Sequence, residues 1–275
     1  MTHVVGIDVG STYTKALLLG ADREIAGRAM LPTGFRLTEI AEQAFAEALR
    51  SAGLRRDDIG YVVATGFGRH QVRLADLKVT DLTAGARGTT LLFPGTRTIL
   101  DVGGQTMKAS RLGDGAKVQS FRLNDKCAAG TGAFLEKTAR YMGYTTEEIG
   151  PLVATSKESI AISGVCAVFA ESEVINHLSQ GVAPADIMQG AIVSLVGRSV
   201  QLMKRVRMEP EFTLIGGILR FRRMVDVIRK ELGTEVNVPD GDLVQFTSAL
   251  GAALLGHIRL AQLAAAERGP AATAR

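Results

Sequence analysis

The 275-residue sequence is poor in several residue types, and each shortage narrows its possible function. It contains two cysteines and no tryptophan. Two cysteines cannot build the disulfide framework of a small secreted domain, so both thiols remain available for metal or redox chemistry. The 32 basic residues barely outnumber the 28 acidic ones, and no basic run is interleaved with aromatic residues. We therefore do not expect a nucleic-acid-binding protein.

Signals for export or membrane insertion are also missing. The N-terminus, Met1–Asp8, lacks the basic region and apolar core of a signal peptide. We find no apolar run of the roughly eighteen residues that a membrane helix needs. Hydrophobic residues make up 46% of the chain and charged residues 22%, which is enough to bury a substantial core. We expect a cytoplasmic protein that does not associate with a membrane.

The common nucleotide-binding signatures are absent, but a different pattern occurs twice. There is no Gly-x-x-x-x-Gly-Lys-Ser/Thr and no complete Gly-x-Gly-x-x-Gly. Instead, a strand pattern, an acidic glycine turn and a second strand pattern begin near residues 3 and 96. The turns are Asp8-Val9-Gly10-Ser11-Thr12 and Asp101-Val102-Gly103-Gly104-Gln105. One such turn is a weak signal, but two in equivalent places predict an internal structural repeat.

These turns have the chemistry of a phosphate site. Glycine lets the backbone approach a phosphate closely, and a tight turn presents its N–H groups to an anion. Asp8 and Asp101, at strand ends, can hold a hydrated Mg²⁺, and Gln105 can orient an attacking water. The other predicted nucleotide contacts are Gly10, Ser11, Thr12, Lys15, Gly103, Gly104, Gly216 and Gly217.

Strands alternate with helices along the chain, which predicts an α/β architecture of two lobes. We expect the first lobe to span residues 1–124 and the second 125–246. A C-terminal helix at 247–263 should pack back on the first lobe, and the tail at 264–275 should be frayed.

Cys127 and Cys166 have similar settings, each among small residues just before a helical pattern. A lone cysteine is commonly a small buried hydrophobe, but two placed alike suggest a shared task. A zinc or common iron–sulfur site needs four ligands, so the other two would come from a second chain. The helix dipoles would lower the thiol pKa values, and Gly130 and Gly132 would leave room for the sulfides.

The two turns and Gly216-Gly217 resemble the phosphate-1, phosphate-2 and adenosine motifs of the actin, sugar-kinase and Hsp70 superfamily. That resemblance implies two ribonuclease-H-like lobes that close on ATP and Mg²⁺.

Two longer stretches are more specific. Asn-Asp-Lys-Cys-Ala-Ala-Gly-Thr-Gly at 124–132 and Val-Phe-Ala-Glu-Ser-Glu-Val-Ile at 168–175 resemble the BadF/BadG/BcrA/BcrD ATPase family, and the likeness runs from about Val4 to Gly256. It implies that Cys127 and Cys166 ligate half of a 4Fe–4S cluster shared with a homologous subunit. It also implies that ATP hydrolysis drives electrons from ferredoxin to a catalytic partner component.

Within the family, one position favours a branch. Activators of 2-hydroxyacyl-CoA dehydratases usually carry Asp after Gly-Gly-Gln, whereas this chain has Thr106. The stretches 33–37, 93–98 and 194–203 resemble the short ATPase subunit of class I benzoyl-CoA reductase. We therefore predict an ATPase subunit that forms a heterodimer and serves the catalytic reductase subunits. The alternatives are a homodimeric dehydratase activator, a small-molecule kinase of the same fold, and an N-acetylglucosamine-kinase-like sensor that hydrolyses nothing.

Overall fold

The computed structural model describes residues 2–124, 131–163 and 167–267, with the backbone alone at 167 and 168. These residues form two compact units. The first contains the described residues up to Pro94 and those from Phe246 onward, and the second contains Gly95–Gln245. This division falls at Gly95, whereas we predicted a boundary at residue 124. The strand at Thr98–Val102 pairs with the strand at Phe212–Ile215, and the next two strands, up to Asn124, join the same sheet. This long-range pairing places all three in the second unit.

The first unit is built on a five-stranded sheet in the order β3-β2-β1-β4-β5. Neighbours among the first three strands are antiparallel, β4 runs parallel to β1, and β5 runs parallel to β4. Its elements are β1 (His3–Val9), β2 (Tyr13–Leu19), β3 (Ile25–Pro32), α1 (Leu37–Ala52), β4 (Ile59–Thr65), β5 (Leu77–Lys78) and α2 (Asp81–Leu92).

The second unit repeats this plan, with the order β8-β7-β6-β9-β10. Here β6, β7 and β8 form the antiparallel part, while β9 and β10 run parallel to β6. The elements are β6 (Thr98–Val102), β7 (Met107–Leu112), β8 (Val118–Asn124), α3 (Gly132–Tyr141), α4 (Ile149–Ala154), α5 (Ala167–Ser179), α6 (Pro184–Lys204), β9 (Phe212–Ile215), α7 (Arg222–Leu232) and β10 (Val236–Asn237). The predicted repeat is thus a repeat of sheet topology.

The first helix shows how sequence determines local structure. Its apolar positions recur at helical spacing, and the residues on that face are buried: Ala41, Ala44, Phe45, Ala48 and Leu49. The helix ends because Gly53 adopts a left-handed conformation with φ of 65°, which glycine enters without steric cost.

The last helix, α8 (Leu243–Glu267), contributes to the first unit. It is long and apolar enough to cross a membrane by length and composition, which we did not predict from its apolar runs. Its first half is buried, including Ala249, Ala252 and Ala253. Gly6 of β1 lies directly against the Ala249 carbonyl, so this half of the helix packs in the core of the unit.

Candidate functional site

The first candidate turn lies where β1 ends and β2 begins. Asp8 is opposite Lys15 in the antiparallel ladder, and the Lys15 ammonium donates a hydrogen bond to Asp8 Oδ2 at 3.2 Å. The exposed fractions of the two side chains are 11% for Asp8 and 15% for Lys15. The Gly10 N–H closes the turn by donating to the Tyr13 carbonyl at 3.2 Å. The carboxylate is therefore held in one place at the carboxyl end of a central strand.

The second turn, between β6 and β7, has the same construction. Asp101 is opposite Lys108, and Lys108 Nζ donates to Asp101 Oδ2 at 3.0 Å. The Gly103 N–H closes this turn on the Thr106 carbonyl at 2.9 Å. We did not predict a role for Lys108. A signal was present, because an Asp followed seven positions later by Lys occurs in both turns.

Each aspartate is also backed by a glycine from the neighbouring parallel strand. Gly66 follows β4 with φ of 85°, and Gly216 follows β9 with φ of 102°. A Cβ on Gly66 would collide with Asp8 Oδ1, and a Cβ on Gly216 would lie 2.7 Å from Asp101 Oδ1. Only glycine allows this approach with these dihedral angles. Gly66 was not among our predicted site residues, although it stands directly after a buried strand.

This arrangement suits a phosphate with a bound Mg²⁺. Each carboxylate is fixed by one lysine and one glycine, and an oxygen-ligated Mg²⁺ needs only one or two carboxylates beside waters and phosphate oxygens. A Cβ on Gly10 would lie 2.9 Å from the Tyr13 carbonyl and 3.4 Å from Lys15 Nζ. Glycine therefore keeps the space next to the ammonium open, which is the space a phosphate oxygen would need.

The remaining predicted contacts lie in or beside these turns. Ser11 is half-buried and Thr12 is exposed at the tip of the first turn, and Gln105 is exposed at the tip of the second. The Gly216 N–H donates to the Val244 carbonyl at 2.9 Å. Gly217 then opens a short 3-10 turn at Gly217–Arg220. In the second unit, Gly216 is thus brought beside Asp101, while the contacts of Gly217 are with Gln245.

The second turn is joined directly to the start of α3. The Gly132 N–H donates to the Gly103 carbonyl at 3.0 Å, and the Ala133 N–H donates to the Gly104 carbonyl at 2.7 Å. A Cβ on Gly132 would lie 2.6 Å from the Ile218 side chain. We predicted that Gly132 makes room for sulfides, but the described contacts give it a packing role against Ile218.

Both predicted metal ligands, Cys127 and Cys166, lie outside the described residues, as does Gly130. Within residues 2–124, 131–163 and 167–267, no group of three or more His, Cys, Asp or Glu side chains could hold a metal ion. The elements flanking the cysteines are described: β8 ends at Asn124, α3 begins at Gly132 and α5 begins at Ala167.

Those flanking elements carry several exposed apolar side chains. Lys137 of α3 and Glu171 of α5 form an ion pair of 2.7 Å, and the hydrogen bond to Glu171 raises the pKa of Lys137. Tyr141 also donates to Glu171, at 3.3 Å. The exposed apolar residues on β8, α3 and α5, which we call the flanking apolar residues, are Phe121, Leu123, Tyr141, Phe169 and Ile175.

Comparison with known proteins identifies relatives over nearly the whole chain. The sequence model of the BadF/BadG/BcrA/BcrD ATPase family matches residues 5–256. The chain is 37% identical to the 2-hydroxyisocaproyl-CoA dehydratase activator of Clostridioides difficile, covering 92% of this chain and 94% of that protein. It is 38% identical to the activator of lactoyl-CoA dehydratase of Anaerotignum propionicum, covering 93% and 97%. It is 31% identical to a benzoyl-CoA reductase subunit of Thauera aromatica, covering 96% of each.

Solved structures agree on the fold. The activator of the 2-hydroxyisocaproyl-CoA dehydratase from Clostridium difficile with bound ADPNP superposes with a TM-score of 0.90 at 34% identity, covering 99% of this chain and 100% of that chain. A ROK family glucokinase from Streptomyces griseus has a TM-score of 0.58 at 14% identity, covering 93% and 99%, which shows a shared fold alone. The predicted α/β class with two lobes of the actin and sugar-kinase type is confirmed.

Proposed function

Because this chain belongs to the BadF/BadG/BcrA/BcrD ATPase family, we propose that it hydrolyses ATP to drive electron transfer to a 2-hydroxyacyl-CoA dehydratase, as the activator of that enzyme. The observation that carries this choice is sequence identity. Two dehydratase activators are 37% and 38% identical to the chain, and the benzoyl-CoA reductase subunit is 31% identical. The identities thus favour the activator, which the sequence motifs suggested only as an alternative, over the reductase subunit.

The two Asp–Lys turns would bind ATP and Mg²⁺. Asp8 and Asp101 are our candidate ligands for a hydrated Mg²⁺, and Lys15 and Lys108 would position these carboxylates. Gln105, at the tip of the second turn, orients the attacking water. The residues assigned to the nucleotide itself are Gly10, Ser11, Thr12, Lys15, Gly103, Gly104, Gly216 and Gly217. The matching construction of the two turns supports this assignment.

Cys127 and Cys166 would supply half of the ligands of a 4Fe–4S cluster, with the other two ligands from a homologous subunit. When bound, such a cluster accepts and donates single electrons, and a ferredoxin would supply them. The flanking apolar residues support a second subunit, because their side chains are exposed in this chain and a partner surface would remove them from water. They lie on β8, α3 and α5, the elements next to the two cysteines in sequence. We place this dimer in the cytosol.

A benzoyl-CoA reductase subunit is the second candidate, and Thr106 favours it. The Thr106 carbonyl closes the second turn, at the position where activators usually carry Asp. In that case the partner would be a longer homologous ATPase subunit, and the catalytic subunits would form part of the same complex. A kinase or sensor function would leave both cysteine stretches without a task.

Anaerobic purification followed by an activation assay tests the proposal. We expect about four iron atoms per dimer and ATP-dependent activation of a purified 2-hydroxyacyl-CoA dehydratase by reduced ferredoxin. Cys127→Ser should lose the iron and retain nucleotide binding. A colourless, iron-free wild-type protein would refute the cluster. Co-purification with three unlike subunits, without activation of a dehydratase, would support the reductase.

A further inference from the structure

The first unit contains the same short motif at two strand ends. Thr33-Gly34-Phe35 follows β3, and Thr65-Gly66-Phe67 spans the end of β4. Thr33 and Thr65 are buried, whereas Phe35 is 87% exposed and Phe67 is 69% exposed. Each intervening glycine has positive φ, 58° at Gly34 and 85° at Gly66. Twice, therefore, a buried threonine and a left-handed glycine turn the chain so that a phenylalanine points into solvent.

These two segments, which we call the aromatic tips, are hydrogen-bonded to the first phosphate turn at residues 8–12. The Thr33 hydroxyl donates to the Gly10 carbonyl at 2.9 Å, and the Thr33 N–H donates to the Thr12 carbonyl at 2.9 Å. On the other side, the Gly68 N–H donates to the Val9 carbonyl at 2.9 Å. A displacement of the turn at 8–12 would therefore move both phenylalanines.

The two tips also adjoin each other. The Thr38 hydroxyl, in the first turn of α1, donates to the Gln71 carbonyl at 3.0 Å. A Cβ on Gly68 would lie 3.2 Å from the Leu37 side chain. These contacts join the segment after Phe35 to the segment after Phe67. We call the surface formed by residues 34–36 and 67–73 the paired-phenylalanine surface.

This surface is basic as well as apolar. The stretches 25–38 and 59–75 contain no Asp or Glu. Arg36, His70 and Arg73 are exposed, and Arg69 donates to the Gly66 carbonyl at 3.0 Å. An acidic side chain, Glu39, lies at its edge and pairs with Arg36 at 3.1 Å. A partner that covers the two rings must therefore present apolar pockets within an acidic surface.

We infer that the paired-phenylalanine surface docks an acidic face of the electron-accepting catalytic component, and that occupancy of the first phosphate turn controls this docking. The inference rests on the proposed function, which supplies the partner. Aromatic side chains that fill a partner's pockets commonly dominate binding energy. The hydrogen bonds from Thr33 and Gly68 to the turn connect the nucleotide to the rings. The catalytic component would then dock only on a subunit whose first phosphate turn is occupied.

Binding between the anaerobically purified dimer and its cognate catalytic component tests this inference. The dissociation constant is measured with ADP and with ADPNP for the wild type, Phe35→Ala and Phe67→Ala. With ADPNP bound, the dissociation constant of each phenylalanine variant should be at least about tenfold higher than that of the wild type. Ile258→Ala is the matched control, because Ile258 is an apolar residue of α8 in the same unit and is 38% exposed. It should bind like the wild type.

A charge variant and two basal measurements complete the test. Arg73→Glu should slow association at low salt, as expected for a rim charge. Iron content and basal ATP hydrolysis should be unchanged in both phenylalanine variants. Wild-type affinity in both variants would overturn the docking surface and leave the proposed function intact. Failure of the wild type to bind or activate the component would overturn both. If the phenylalanine variants lose only their reduction by ferredoxin, the surface binds ferredoxin; if their dimer dissociates, the surface binds the second subunit. Either result would overturn the inference.

Discussion

Replacing Gly66 by alanine should reduce both the stability of the protein and its ATP hydrolysis. At φ of 85°, an alanine in the left-handed region costs about 1–2 kcal/mol. The new Cβ would also collide with Asp8 Oδ1 and lie 2.8 Å from the Val9 carbonyl carbon. Strand β1 would have to shift, which adds about 1–3 kcal/mol. The sum, about 2–5 kcal/mol, is a large part of the 5–15 kcal/mol that typically stabilises a protein.

Gly34→Ala is the matched control, because it changes the same motif without the collision. Gly34 has φ of 58°, and no atom lies within 4 Å of the position that a Cβ would occupy. Only the backbone cost of about 1–2 kcal/mol should remain. Denaturant unfolding measures both free energies, and phosphate release measures ATP turnover. Turnover should fall in Gly66→Ala, whose Asp8 is displaced, and persist in Gly34→Ala. Equal unfolding free energies and equal turnover would refute the role of Gly66 in placing Asp8.

Two further predictions concern a lysine pair and an aspartate. Lys15→Met and Lys108→Met should each lower ATP turnover by about 10²-fold or more, which is the usual effect of removing a fixed donor from a charged site. Lys230→Met, at an exposed lysine, is the control and should leave turnover unchanged. Unchanged turnover in Lys15→Met and Lys108→Met would contradict the role of these two lysines. Asp186 accepts hydrogen bonds from the backbone N–H groups of Glu158 and Lys157, which lower its pKa from the ordinary 3.8. Its stabilising contribution is therefore complete above that value and is lost as pH falls through the lower folded-state pKa. The free energy of unfolding of Asp186→Asn should be lower than that of the wild type at pH 7 and should fall less in acid. Asp226→Asn, at an exposed aspartate, is the control. Parallel curves of unfolding free energy against pH for Asp186→Asn and the wild type would argue against this role of Asp186.

The two hairpins were predictable from local sequence patterns, whereas features that depend on long-range packing were not. The hairpins around Gly10 and Gly103 were predictable because buried strand patterns flank small polar turns. Helix α2 was not predicted, since Gly85 and Gly88 lower helical propensity. It forms because those positions face a tightly packed neighbour: Gly88 lies directly against the Thr247 carbonyl of α8. The boundary between the units differs from the predicted one for a related reason. The pairing of β6 with β9 joins residues far apart in sequence, and no local pattern marks it.

Gly66 and Gly216 belong to the same structural arrangement, which occurs once in each unit and leads into a different segment in each. In both units a strand-end aspartate is held by a lysine from the adjacent antiparallel strand and faces a glycine from the adjacent parallel strand. The two units differ in the segment after that glycine. After Gly66 the chain forms an exposed aromatic tip, whereas after Gly216 it forms a 3-10 turn whose Ile218 packs against Gly132. Gly132 in turn opens α3, the helix that follows Cys127. Under the proposed function, phosphate at the first turn acts on the docking surface and phosphate at the second acts on the cysteine segment. The duplicated fold would then link phosphate binding to two separate events, acceptor binding and electron delivery.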